Sequence, residues 1–241
     1  MDKKFTFQEL QAIVATLRSE NGCPWDRSQT HESLKLYTLE EAYEVNQAVS
    51  DLTKTNDPSN LEEELGDLLF QVLLQAQVAE DNGEFTIEDV IDQIARKMIH
   101  RHPHVFAGRK YDSIEAQQAD WEVLKAQEEG HESASVKDEL SAVPLAFPAL
   151  IRGEKVAKKA SRHAVLSSEK EQIAQDLLHA VFTLIGLLGS PSGKEKTSED
   201  SSLLGKNVGE ALFALCRLCA RCNISGEMAL THTIEELIDT L

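Results

Sequence analysis

Apolar residues recur at helical spacing along nearly the whole chain. Phe7, Leu10, Ile13, Val14 and Leu17 share one face of a stretch from 6 to 19, the period of an amphipathic helix. Asn21-Gly22-Cys23-Pro24 breaks it. A second helix is predicted over 33–51, with Leu34, Leu36, Tyr37, Leu39, Ala42, Val45 and Val49 inside. Residues 53–58 read as a turn. Ser59, followed three residues later by Glu62, forms a capping box that starts a third helix running to about residue 80. Thr86 caps a fourth, which ends before Pro103. A fifth covers 113–129, with Trp121 and Leu124 on its apolar side.

The pattern changes after Gly130. Val143-Pro144-Leu145-Ala146-Phe147-Pro148 is a proline-punctuated connector. Helical spacing returns over 149–160 and 169–188, and one or two last helices fill 204–241. The segment 189–202 is polar, low in complexity and expected to be mobile. Leu65-Gly66-Asp67-Leu68-Leu69-Phe70 is echoed by Val208-Gly209-Glu210-Ala211-Leu212-Phe213, which points to a duplicated helical unit. The expected division is therefore 1–130, a connector over 131–148, and a second unit over 149–241.

Composition supports an all-α reading. Aromatics are only 5%, with 12 Gly and 6 Pro in 241 residues, while the helix formers Leu, Ala, Glu and Gln abound. The net charge of −17 repels nucleic acid and anionic lipid, so neither is expected as a partner. An anionic substrate would need a metal to mediate it. No apolar signal core follows Met1, no stretch approaches the roughly 18–20 apolar residues of a membrane span, and the four Cys fit no secreted scaffold. A cytoplasmic, reduced protein is expected.

The candidate chemistry lies in two acidic helix faces. Glu41 and Glu44 are three residues apart, as are Glu64 and Asp67, so each pair shares a face of its helix. A short turn joins the two helices, which should pack antiparallel. At about 1.5 Å rise per residue the pairs are offset by only about 4–5 Å. Four converging carboxylates call for a hard divalent cation with oxygen ligands, Mg2+ first and Mn2+ as an alternative. Gly66, between Glu64 and Asp67, costs a helix about 1 kcal/mol against Ala and points to close helix approach or room for a ligand. On the fourth helix, Lys97 and Arg101 share a face and can clamp phosphates, with His102 and His104 just beyond.

These residues resemble a known family. Asn21-Gly22-Cys23-Pro24-Trp25-Asp26, Gln29-Thr30, Glu40-Glu41-x-x-Glu44, Glu64-Leu65-Gly66-Asp67-Leu68-Leu69, Arg101-His102-Pro103-His104-Val105-Phe106 and Trp121-Glu122-x-x-Lys125 recur in order in the MazG nucleoside triphosphate pyrophosphohydrolases. The resemblance covers about 5–130. It implies an all-α, MazG-like helical bundle and Mg2+-dependent cleavage of NTPs or dNTPs to the monophosphate and pyrophosphate, in a homodimer. By motif match Glu41, Glu44, Glu64 and Asp67 would be metal ligands, and Lys97 and Arg101 phosphate contacts. Glu40 and Glu41 are both candidates for the residue that takes the proton from water. Trp25 can stack on a nucleobase or cover the core.

The second unit departs from that pattern. Gln175-Asp176-Leu177-Leu178-His179 and Asn207-Val208-Gly209-Glu210 stand where the acidic motifs should lie, and Glu236 and Thr240 near where the cations should. Asp176 and Glu210 alone would hold a metal poorly, so this degenerate copy is expected to serve packing or dimerisation. Cys216, Cys219 and Cys222 have no fourth partner for an iron–sulfur cluster and read as packed thiols. Two other readings stay open: a nucleotide-sensing or partner-binding module with vestigial catalysis, and the same fold restricted to one nucleotide such as dUTP, phosphoribosyl-ATP or an oxidised nucleotide.

Overall fold

A computed structural model describes residues 3–128, 135–188 and 198–241. The described residues form twelve helices. They separate into two compact units, the chain dividing between Leu124 and Lys125.

In the first unit, α1 (Phe7–Arg18) opens with a capping box between Thr6 and Glu9. The short α2 (Pro24–Ser28) leads to α3 (Lys35–Thr55) and α4 (Ser59–Asp81). These two long helices pack closely side by side. Helix α5 (Ile87–Arg101) is capped by Thr86 and Asp89. It is followed by α6 (Pro103–Phe106) and α7 (Ile114–Glu128).

The core is apolar and continuous. Val14 of α1, Leu34 before α3, Leu73, Leu74, Ala76 and Val78 of α4, and Ile87 of α5 are buried together, with Leu10, Phe70 and Val90 packed against them. Removing the Leu74 side chain, which is 1% exposed, would cost about 2–5 kcal/mol. Arg18 fastens α1 to its surroundings. Its Nε donates to Asp81 at 2.7 Å, and Nη1 donates to the Asp26 carbonyl at 2.6 Å. The side chain is 7% exposed, and a charge that buried needs those partners.

Two local readings change. Ser59 does not cap α4. Pro58 is already in helical geometry, so Ser59 falls at the first helical position, and Asp57 takes the capping role by accepting from Ser59 N at 3.0 Å and Oγ at 2.7 Å. Helix α3 also runs further than residue 51. Asn56 adopts the left-handed conformation, φ 57°, which ends a helix at little cost for Asn.

In the second unit, α8 (Val136–Ser141) precedes α9 (Ala149–Arg162), α10 (Lys170–Leu188), α11 (Ser198–Cys222) and α12 (Gly226–Asp239). Helix α11 packs between α9 and α10. Small residues make close contact possible: Ala157, Ala160, Ala180, Ala211 and Ala214 are buried. A Cβ on Gly153 would lie 2.7 Å from Cys216 Sγ. Of the segment expected to be mobile, 189–197 lie outside the described residues, and from Ser198 the chain is helical.

Candidate metal centre

Side-by-side packing of α3 and α4 brings three acidic side chains together. Glu41, Glu64 and Asp67 each offer a carboxylate oxygen within 4.8 Å of the others. Glu41 and Glu64 are half-buried and Asp67 is exposed. Glu64 and Asp67 meet because they are one turn apart on α4. Glu41 joins them because α3 lies alongside.

Glu44 is not part of this tight triplet, yet it belongs to the same electrostatic group. Partial burial, a hydrogen bond with Glu44, and the charges of Glu44, Asp67 and Glu64 push the Glu41 carboxyl above its usual range. Desolvation and the charges of Glu44, Asp67 and Glu63 push Glu64 up as well. Repulsion within an all-oxygen donor set is what a hard divalent cation relieves. Glu40 is exposed and stands outside the triplet, since one residue along a helix turns a side chain by about 100°.

A Cβ placed on Gly66 would meet nothing within 4 Å. The close helix approach expected at this glycine is therefore absent among the described residues. What remains is open space beside the carboxylates.

The other predicted residues lie on neighbouring elements. Lys97 and Arg101 are one turn apart on α5, and the Arg101 guanidinium sits 5.5 Å above the Trp121 ring. Trp25, on α2, is 53% exposed and meets Tyr37 of α3 edge-on at 5.9 Å. It is not a closed lid over the core. His102 Nδ1 lies 2.7 Å from the Met98 carbonyl, and His104 Nε2 lies 3.2 Å from Gln117 Nε2. Sequence reasoning missed the partners Tyr37 and Trp121 and the clamp made by Arg18. Spacing within one helix carries no signal for contacts between distant segments.

The corresponding acids of the second unit are engaged elsewhere. Asp176 pairs with Arg217 at 2.6 Å, and hydrogen bonds from Gln172 and Arg217 hold its carboxyl below the usual range. Glu210 lies 3.8 Å from Lys206. Cys216 is buried, and burial together with Glu154 raises its thiol. That environment opposes the thiolate a metal cluster would need.

Known proteins resemble this chain over the same helices. Residues 29–106 match the MazG nucleotide pyrophosphohydrolase domain, a span that contains all the acidic residues above on α3 and α4. The chain is 36% identical over 233 residues to the nucleoside triphosphate pyrophosphohydrolase/pyrophosphatase MazG of Thermotoga maritima, covering 97% of this chain and 83% of that protein. It is 32% identical over 232 residues to the nucleoside triphosphate pyrophosphohydrolase of Escherichia coli, covering 94% and 82%. It is also 45% identical over 152 residues to the uncharacterized protein YabN of Bacillus subtilis, covering 63% of this chain and 30% of the other.

Proposed function

The chain belongs to the MazG family and is a nucleoside triphosphate pyrophosphohydrolase, and from that premise we propose that it works with Mg2+ held by Glu41, Glu44, Glu64 and Asp67. The observation that carries this is the clustering of three carboxylate oxygens within 4.8 Å across α3 and α4, with Glu41 and Glu64 destabilised as anions. A cation bound there would offset phosphate charge and acidify a nearby water. Mn2+ fits the same donors.

This chain's own residues would do the rest. Lys97 and Arg101 contact the phosphates, where charge-assisted hydrogen bonds favour the charge that develops on the oxygens. Trp121 beneath Arg101 limits the directions that guanidinium can take. Trp25 offers its exposed face to the base. Glu41 or Glu40 takes the proton from the attacking water. Glu41 is the better placed, since it stands in the carboxylate cluster whereas Glu40 is exposed outside it.

We propose a homodimer, supported by the apolar residues that α3 and α4 leave exposed. Tyr43 is 58% exposed and Leu65 50% exposed, and Leu69 and Val72 are also uncovered. Such a stripe is normally buried against a partner. A cytoplasmic location is supported by four free cysteines, which persist in a reducing compartment. No helix among the described residues is long and apolar enough to cross a membrane. The net charge of −17 argues against nucleic acid as a partner. Phosphorus NMR of the products tests the reaction. Monophosphate and pyrophosphate are expected. Diphosphate and orthophosphate would contradict it.

A further inference from the structure

The second unit holds a basic cleft. It lies open between α9, α10 and α11, with a volume of about 250 Å3. Lys158, Arg162, Arg217 and Arg221 line it, with the hydroxyls of Ser161 and Ser168. Four cations converge on one cleft in a chain of net charge −17. Helix α9 itself carries five basic residues and one acidic one.

The internal repeat shows where these cations came from. In the register that matches Leu65-Gly66 with Val208-Gly209, Leu74 and Val78 of α4 correspond to Arg217 and Arg221 of α11. Leu74 and Val78 are 1% and 3% exposed and belong to the core of the first unit. Core positions of one copy have thus become cationic walls of a cleft in the other. Two apolar positions are exchanged for cations, and an anion is the class of ligand those charges attract.

The cleft is built to stay in place. Arg217 is 9% exposed. Its Nη1 donates to Asp176 at 2.6 Å and its Nη2 to the Ser167 carbonyl at 3.3 Å. Its buried Nε has no acceptor among the described residues. Arg221 Nε donates to the Ser168 carbonyl at 2.9 Å. Both arginines are therefore held against the turn that precedes α10. Asp176 offsets one charge. Lys158 and Arg162 have contacts of their own, so no free side chain is required of them, and Arg217 and Arg221 are the cations the turn holds in place.

We propose that this cleft is a metal-independent binding site for a phosphate-bearing anion, either free pyrophosphate or the phosphate of a nucleotide. Arginine guanidinium groups match phosphate oxygens with parallel hydrogen bonds, and about 250 Å3 of cleft holds a ligand of that size. Among the described residues no carboxylate lines the cleft itself, so a divalent cation is not needed to bring the anion in. This separates it from the acidic site of the first unit. It stands independently of the catalytic reading above.

The test is calorimetric titration of the full chain with pyrophosphate, and separately with AMP, in excess EDTA. Binding is expected to one of them. It should weaken roughly tenfold or more in Arg221→Ala and in Lys158→Ala/Arg162→Ala, and be kept in Glu41→Gln. Arg221 is exposed, so its variant should fold, and an unchanged thermal midpoint without ligand verifies that. Preference for pyrophosphate identifies the released product as the source, and preference for AMP identifies the nucleotide. Either supports the site. Absence of binding in EDTA, or binding that survives both variants, overturns it.

Discussion

Glu41 of α3 and Glu64 of α4 lie on different helices, yet their carboxylate oxygens come within 4.8 Å of each other and of Asp67. Both carboxyls are pushed above their usual range, Glu41 first by partial burial and then by Glu44. Two acids held where neither ionises readily are a liability for folding alone. They become an asset when a divalent cation arrives.

The sign of their pH dependence follows. Glu41 and Glu64 are raised in the fold, so over the window above the ordinary carboxylate value the folded chain binds more protons than the unfolded one. Their contribution to stability is lost as pH rises through that window. In EDTA, the urea midpoint of Glu41→Gln should gain on the parent as pH increases from about 4 to 7. With Mg2+ at neutral pH the order should reverse, because only the parent gains from the ion. A constant gap between the two proteins would count against the cluster.

His31 provides a second pH test with its own sign. Its Nδ1 lies 2.6 Å from Gln75 Oε1 and its Nε2 lies 3.1 Å from Glu84. Both are acceptors, so the protonated ring is favoured, mainly through Gln75, and its pKa is raised. The stabilisation is full below about pH 6.5 and is lost as pH rises through the raised value. The midpoint difference between the parent and His31→Ala should shrink between pH 6 and 9. A difference independent of pH would show the imidazolium has no part in it.

Two helical glycines, Gly66 in the first unit and Gly153 in the second, should respond oppositely. A Cβ on Gly66 meets open space, so Gly66→Ala should raise the stability of the chain by about 0.5–1 kcal/mol. A Cβ on Gly153 would collide with Cys216, so Gly153→Ala should lower it by about 1–3 kcal/mol. Chemical denaturation of both variants checks the pair. If Gly66→Ala preserves stability but impairs hydrolysis, the open space beside the carboxylates is used by substrate.

Activity should depend on the first unit's acids and not on the second's. Glu210 is more than half exposed and faces Lys206 at 3.8 Å, a pair worth about 0–1 kcal/mol. Glu210→Gln should leave the rate of hydrolysis within about twofold. A loss comparable to that of an α3 or α4 variant would return the second copy to the active machinery.

Much of this was legible in the sequence, and the reasons differ by feature. The long helices announced themselves because their apolar faces repeat over many turns, and the i, i+3 carboxylates were visible because a helix fixes their direction. Helices α2 and α6 were not anticipated, nor was α8, which lies in the stretch read as a connector. Pro24 and Pro103 read as breakers, yet each stands at the first position of a short helix, where proline's missing N–H costs nothing. The cap of α4 shifted from Ser59 to Asp57 for a similar reason, since Pro58 had already entered helical geometry. The meeting of Glu41 with Glu64 and Asp67 was in reach because a short turn fixes how α3 and α4 lie, whereas the Trp25–Tyr37 contact and the Arg101–Trp121 stack depend on packing between segments with no such tie. No local pattern encodes those. The basic cleft was hidden likewise, because Arg217 and Arg221 acquire meaning only when set against Leu74 and Val78.

The most direct test is pyrophosphate release from a panel of NTPs and dNTPs, with Mg2+ and with EDTA, by the parent, Glu41→Gln and Asp67→Asn. The parent should release pyrophosphate only with the metal, and both variants should lose about a hundredfold or more of that rate, as expected when metal and proton chemistry are removed together. Equal release in EDTA, or full activity in both variants, would contradict a metal centre on α3 and α4.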